Sequence, residues 1–157
     1  MNNVEIERKF LVDKEKWSRL TKPQGTRYLQ GYLSIDEDKV IRVRVAGDKG
    51  FLTIKGKPDT ISHPEFEYAI PVEDALELLQ KYTKTLIEKI RTRIPAGNHV
   101  WEVDVFLGEN KGLLMAEIEL DCPEDEFEKP SWVGEEVTGD KRYYNAYLSL
   151  NPFSMWK

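Results

Sequence analysis

A chain of 157 residues, 40% of them hydrophobic, can bury a sizeable core, and one domain spanning residues 1–157 is expected. A net charge of −5 speaks against a nucleic-acid surface, although a basic groove can hide within an acidic total. The single cysteine, Cys122, excludes an internal disulfide, no apolar run reaches membrane length, and the N-terminus lacks a basic-then-apolar leader pattern, so a cytoplasmic protein without nucleic-acid or membrane partners is expected.

The first strand is expected over Asn3–Val12. Glu5, Glu7 and Lys9 share one face there, and Val4, Ile6, Phe10 and Val12 share the other. Asp13 then suits the N-cap of a short helix that buries Trp17 and Leu20 and ends at Pro23 and Gly25. Strands follow over Thr26–Ile35, Val40–Ala46 and Phe51–Lys55, separated by turns at Asp36–Asp38 and Gly47–Gly50. A loop is expected over Gly56–Pro64 and a fifth strand over Glu65–Pro71. The clearest helix is Val72–Tyr82, with Val72, Ala75, Leu76 and Leu79 on one side. Thr85–Ile94 is a sixth strand, Pro95–Asn98 a turn, His99–Leu107 a seventh strand and Leu113–Asp121 an eighth. Beyond Pro123 the pattern turns irregular and acidic, and Lys141–Leu150 is expected to close the chain as a helix.

Eight strands with short connections and few helices indicate a mainly β (α+β) fold. An eight-stranded antiparallel β-barrel removes its own edges, and an open curved sheet is the alternative. The polar faces carry Glu5, Glu7 and Lys9, then Arg42 and Arg44, Thr53 and Lys55, and Glu65 and Glu67. Further along come Lys89, Arg91 and Arg93, Glu102 and Asp104, and Glu117 and Glu119. Each set has i, i+2 spacing and is therefore one-faced. The opposite faces are apolar. Alternation alone leaves open which face points inward, but the signs are segregated by strand, whereas a merely hydrated surface intersperses them. Converging carboxylates invite a hard divalent cation, and converging Arg and Lys invite a polyanion such as phosphate. There is no glycine-rich phosphate loop, so side chains would have to hold the phosphates.

Glu5-x-Glu7-x-Lys9 resembles the ExExK signature of the CYTH family, the triphosphate tunnel metalloenzymes. It is followed in order by Arg42-x-Arg44, Thr53-x-Lys55, Glu65-x-Glu67, Glu88-Lys89-x-Arg91, Glu102-x-Asp104 and Glu117-x-Glu119. The tail from Gly134 to Tyr143 is similar to that of short bacterial members. The resemblance implies a barrel with its charged face inward, forming a tunnel with peripheral helices. It also implies metal-dependent hydrolysis of a triphosphate with Mg²⁺ or Mn²⁺, most simply inorganic tripolyphosphate to diphosphate and phosphate, by in-line attack of water. Under it, Glu5, Glu117 and Glu119 hold the metal that bridges the phosphates, and Glu7, Glu65, Glu67 and Asp104 hold a second metal or orient the water. Lys9, Arg42, Arg44, Lys55, Lys89 and Arg91 grip the phosphate chain, Lys141 reaches a tunnel mouth, and Glu7, Lys55 and Lys89 are the catalytic residues. The partner is a small-molecule triphosphate, and a homodimer is among the assemblies this reading allows. Alternatives within the family are a nucleoside or thiamine triphosphatase and an adenylate cyclase; outside catalysis, a polyphosphate-binding barrel. His63 and His99, beside loop and turn residues, read as surface histidines. Cys122 reads as buried or half-buried. Tyr28, Gln30 and Tyr32 line the tunnel or pack beneath a loop, and Trp132, Phe153 and Trp156 pack the C-terminal segment.

Overall fold

Alternating polar and apolar residues make strands, and the computed structural model, which describes residues 3–57 and 62–156, shows nine of them. They are β1 (Val4–Val12), β2 (Thr26–Ile35), β3 (Lys39–Ala46), β4 (Lys49–Gly56), β5 (Ser62–Ile70), β6 (Leu86–Ala96), β7 (His99–Phe106), β8 (Leu114–Leu120) and β9 (Val133–Glu136). Three helices accompany them: α1 (Lys14–Arg19), α2 (Val72–Tyr82) and α3 (Asn145–Leu150). All pairings are antiparallel, in the order β5-β4-β3-β2-β6-β7-β8-β1, and β1 returns to β5, so eight strands close a barrel. The open-sheet alternative is thereby set aside.

The closing seam is shared. On one side β1 pairs along its length with β8; on the other, Val4–Ile6 pair with Ser62–Pro64 of β5, while Phe10 and Val12 pair with β9. Between these segments the Lys9 carbonyl accepts from the Val137 N–H at 2.9 Å, and the Lys9 N–H donates to Thr138 Oγ1 at 2.9 Å. Arg8, on the outer face, makes a two-pronged bond to Glu136 at 2.8 and 2.6 Å. The irregular stretch after Pro123 therefore contains a strand that the sequence pattern hides: its four residues include Gly134, Glu135 and Glu136 and show no alternation.

The apolar faces point outward and are covered. Phe10, Trp101, Val103, Ala116 and Ile118, outward on β1, β7 and β8, are buried under Trp17 of α1 and Trp132 ahead of β9, with the indoles packed edge to face. Trp132 thus belongs to this cluster rather than to the C-terminal segment, where Phe153 and Trp156 pack with Tyr143. Asp13 caps α1 through an Oδ1 that accepts from the Lys16 N–H at 3.0 Å. Helix α2 lays Ala75 and Leu79 on Val43 and its neighbours. It lies so close to β4 that a Cβ at Gly50 would stand 2.9 Å from the Ala75 methyl carbon.

Two turns are tighter than the sequence suggests. Ala46 pairs with Lys49 and Ala96 with His99, leaving two-residue loops whose first residue, Gly47 or Gly97, has φ near +60°. That is the glycine-first hairpin geometry, and it starts β4 at Lys49 and carries β6 to Ala96, beyond the expected ends. Pro95 is accommodated inside β6 because β2 begins only at Thr26, opposite Arg91, so β6 has no β2 partner there. Pro71 lies outside β5 and caps α2 instead. Of the expected loop at Gly56–Pro64, residues 58–61 lie outside the described residues; Gly56 ends β4, and Ser62–Pro64 belong to β5. The expected closing helix is two pieces, a 3-10 turn at Lys141–Tyr143 and α3, separated by Tyr144 in extended conformation. This break sends the Tyr143 ring to an apolar cluster with Ile87, Phe106, Met115 and Leu148, which packs one end of the barrel interior.

Candidate active site inside the barrel

With the apolar faces outward, the charged rows point in, and strand order sorts them. The carboxylate strands β5, β1, β8 and β7 are contiguous around the barrel, and so are β6, β2, β3 and β4, of which β6, β3 and β4 carry the cations and β2 contributes Tyr28 and Gln30. The interior therefore has an acidic wall and a basic wall. They meet at two junctions, where opposite charges face each other in register: Lys55 opposite Glu65, and Arg91 and Arg93 opposite Asp104 and Glu102. The cavity between them has a volume of about 180 Å³, room for roughly a dozen waters.

On the acidic wall, Glu5, Glu7, Glu65, Glu117 and Glu119 line the cavity. Burial, then the Glu117 carboxylate, pushes the Glu7 carboxyl well above the usual range. Burial, and then the neighbouring Glu5, Glu102 and Glu65 carboxylates, raises Glu119. Glu65 is raised by burial and by Glu5. Glu5 goes the other way: against the cost of burial, a bond from His63 and the Lys55 ammonium hold it far below the carboxylate range. Glu117, helped chiefly by Lys9 and Arg91 against burial, is lowered to about 2. Such crowding of like charge is relieved by a cation.

The donor set suits one. Glu5, His63 and Glu65 each place a ligand atom within 4.8 Å of the others. His63 Nε2 lies 2.8 Å from Glu5 Oε1, and Glu65 Oε2 is buried without a hydrogen-bond partner. The Lys55 ammonium sits 3.4 Å from both Glu5 Oε1 and Glu65 Oε2. Two carboxylates and an imidazole around one point fit a divalent metal and leave positions open for other ligands.

On the basic wall, Arg42, Arg44, Lys89 and Arg91 line the cavity, flanked by Lys9 and Lys55. Burial, then Arg91 and Arg44, drives the Lys89 ammonium down to about 7 despite Asp104 at 2.8 Å. Burial and the Arg42 and Arg91 guanidiniums lower Arg44 as well. The Tyr28 ring lies between Arg44 and Arg91, at 4.9 and 5.0 Å. Gln30 accepts from Arg44 Nε at 2.8 Å and donates to Asn145 Oδ1 at 3.2 Å, which also accepts from Lys89 at 3.0 Å. Arg42 Nε is buried and unpartnered. Crowded, under-satisfied cations call for an anion.

Three expected site residues are placed elsewhere. Asp104 is buried but saturated: Arg91 grips both its oxygens at 2.8 Å and Lys89 adds a third contact, so it orders the basic wall and has no free oxygen for a metal. Glu67 lies on β5 beyond the segment paired with β1, is 39% exposed, and accepts from Thr53 at 3.0 Å rather than facing the carboxylate cluster. Lys141 is exposed on its 3-10 turn and does not line the cavity; the C-terminal segment contributes Thr138, Gly139, Tyr144, Asn145 and Ala146 instead. Conversely, His63 is buried in the site, not at the surface. The signal was present: His63, Glu65 and Glu67 share one parity, and the residue before Pro64 is biased to extended conformation. Starting the strand at Glu65 concealed it. Cys122 is exposed, because the segment around it packs no core.

A family model described as the CYTH domain matches residues 3–144. An inorganic triphosphatase from Acetivibrio thermocellus is 49% identical, covering 98% of this chain and 97% of its own. An inorganic triphosphatase from Nitrosomonas europaea is 38% identical, covering 94% and 98%. The crystal structure of an inorganic triphosphatase superposes with a TM-score of 0.63 at 34% identity, covering 93% of this chain and 94% of that one.

Proposed function

This chain belongs to the CYTH family, and on that premise we propose that it hydrolyses inorganic tripolyphosphate to diphosphate and phosphate, using a divalent cation, inside the barrel. The observation that carries this is the split interior: an acidic wall and a basic wall facing one cavity. A simple anion receptor gains nothing from an acidic wall, and a simple metal store gains nothing from a basic one. A triphosphate with its metal uses both.

The basic wall binds and orients. Arg42, Arg44 and Arg91 present guanidinium forks to phosphate oxygens, with Arg44 and Arg91 held against Tyr28 so that little freedom is lost on binding. Lys55 adds a point charge where the two walls meet, and Lys9 adds one from within the acidic wall, beside Glu117. Lys89, lowered to about 7 in the free protein, takes up a proton as the polyanion arrives above that pH. Glu5 and Glu65, with Glu117 and Glu119, would hold the cation, Mg²⁺ or Mn²⁺. When bound it withdraws negative charge from the phosphoryl oxygens. Glu7, whose carboxyl keeps its proton to unusually high pH, can hold or release a proton within the cavity. We also propose a single catalytic domain and a cytoplasmic setting, supported by the exposed free thiol of Cys122. Among the described residues no helix is long and apolar enough to cross a membrane.

The test is phosphate release from tripolyphosphate, ATP and thiamine triphosphate, with Mg²⁺, with Mn²⁺ and with chelator, for the native protein and for Glu5→Gln and Glu119→Gln. Tripolyphosphate should be cleaved fastest and only with metal, and both variants should lose at least about a hundredfold in rate. Faster turnover of ATP, or turnover in chelator, contradicts the reading.

A further inference from the structure

The acidic wall is not made of carboxylates alone. His63 is 8% exposed, and its Nε2 is turned into the cavity, 2.8 Å from Glu5 Oε1 and 3.9 Å from Glu65 Oε2. Backbone geometry holds it there. It pairs in register with Glu5, and Pro64 behind it, paired with Val4, keeps the residue extended. The three ligand atoms come from two adjacent strands whose pairing is the barrel's closing seam, so their spacing is built by the fold and not by a loop.

We infer that His63 is a direct ligand to the divalent cation of this site, and that the site therefore favours a first-row transition metal over Mg²⁺. The inference rests on the metal-dependent reading above and sharpens it. Mg²⁺ demands oxygen ligands and gives up its waters reluctantly. First-row divalent ions accept imidazole, and their affinity for mixed nitrogen and oxygen sites rises from Mn²⁺ towards Cu²⁺. Lys55 supports the assignment: its ammonium stands 3.4 Å from an oxygen of each carboxylate, where the charge balance asks for a cation. The buried Glu65 Oε2 accepts no hydrogen bond and has only the longer ion-pair contact to Lys55, so it keeps a lone pair for a metal. The three ligand atoms of Glu5, His63 and Glu65 leave coordination positions for the neighbouring carboxylates, phosphate oxygens and water.

The competing role for His63 is a structural hydrogen bond to Glu5. Mn²⁺ separates the two, because a coordinated imidazole nitrogen modulates the pulsed electron paramagnetic resonance of the bound ion and an uncoordinated one does not. Native protein loaded with Mn²⁺ should show this nitrogen coupling, and His63→Gln should lose it. The variant should also bind Mn²⁺ about tenfold more weakly while its affinity for Mg²⁺ changes much less. A melting curve establishes that the variant is folded, and the native spectrum needs no variant at all. Bound Mn²⁺ without nitrogen coupling, or an unchanged preference of Mn²⁺ over Mg²⁺ in His63→Gln, overturns the inference. The two readings fail separately. Metal-dependent cleavage of tripolyphosphate without nitrogen coupling removes only the role of His63. Nitrogen coupling without cleavage keeps the ligand and removes the triphosphatase.

Discussion

At the scale of single residues, the interior is organised by what each charge lacks. Asp104 is paired at both oxygens and shapes its surroundings; Glu65 and Arg42 keep buried polar atoms that make no hydrogen bond and await a ligand. Lys89 shows the consequence most directly. Burial and two guanidiniums lower its ammonium to about 7. Its folded-state value lies below that of the unfolded chain, so between about pH 7 and pH 10 the native state binds fewer protons, and this group makes stability rise with pH across that window. A polyphosphate beside it reverses the balance. At about pH 8, tripolyphosphate binding to chelator-treated protein should take up a proton. Calorimetry in two buffers of different ionisation enthalpy reads this as a difference in heat, and equal heats contradict it. The i, i+2 spacing made most of these residues legible in advance, because parity on a strand depends on nothing beyond the strand itself. The status of Asp104 was not legible, since saturation depends on which strand lies beside which. His63 was missed for a local reason: Pro64 reads as a loop residue, although an X-Pro pair is equally at home in a strand.

At the scale of elements, the strands and α2 were legible because each is long and periodic. The short helix α1 was legible through its Asp13 cap, but the short pieces after Pro123 were not: β9 has four residues and owes its structure to the half of the β1 edge left free by β5. The C-terminal segment is the same case. Its fold is set by what it covers, the apolar end of the barrel interior made by Ile87, Phe106 and Met115. Leu148 is 1% exposed in that cluster, and α3 also carries Asn145 to Lys89 and Gln30. Leu148→Ala should therefore cost about 2–5 kcal/mol in urea unfolding, the range for a buried large-to-small change. Because α3 positions Asn145, the same variant should also raise KM for the triphosphate. A loss below about 1 kcal/mol would mean that the segment is not a true cap of the barrel.

At the scale of the whole molecule, an overall charge of −5 conceals a concentrated basic wall. Turning the sheet inside out, with charge within and apolar faces under α1, α2 and β9, costs desolvation that packing outside the barrel offsets and that a bound metal–polyanion pair would relieve. The central claim is that the two walls act together on one triphosphate. Phosphorus NMR of tripolyphosphate incubated with the protein and a divalent cation tests it most directly. The account predicts that the tripolyphosphate signals decay while diphosphate and phosphate appear in equal amounts, and that chelator stops the reaction. Tripolyphosphate that stays intact with metal present, or that breaks down equally well in chelator, would contradict it.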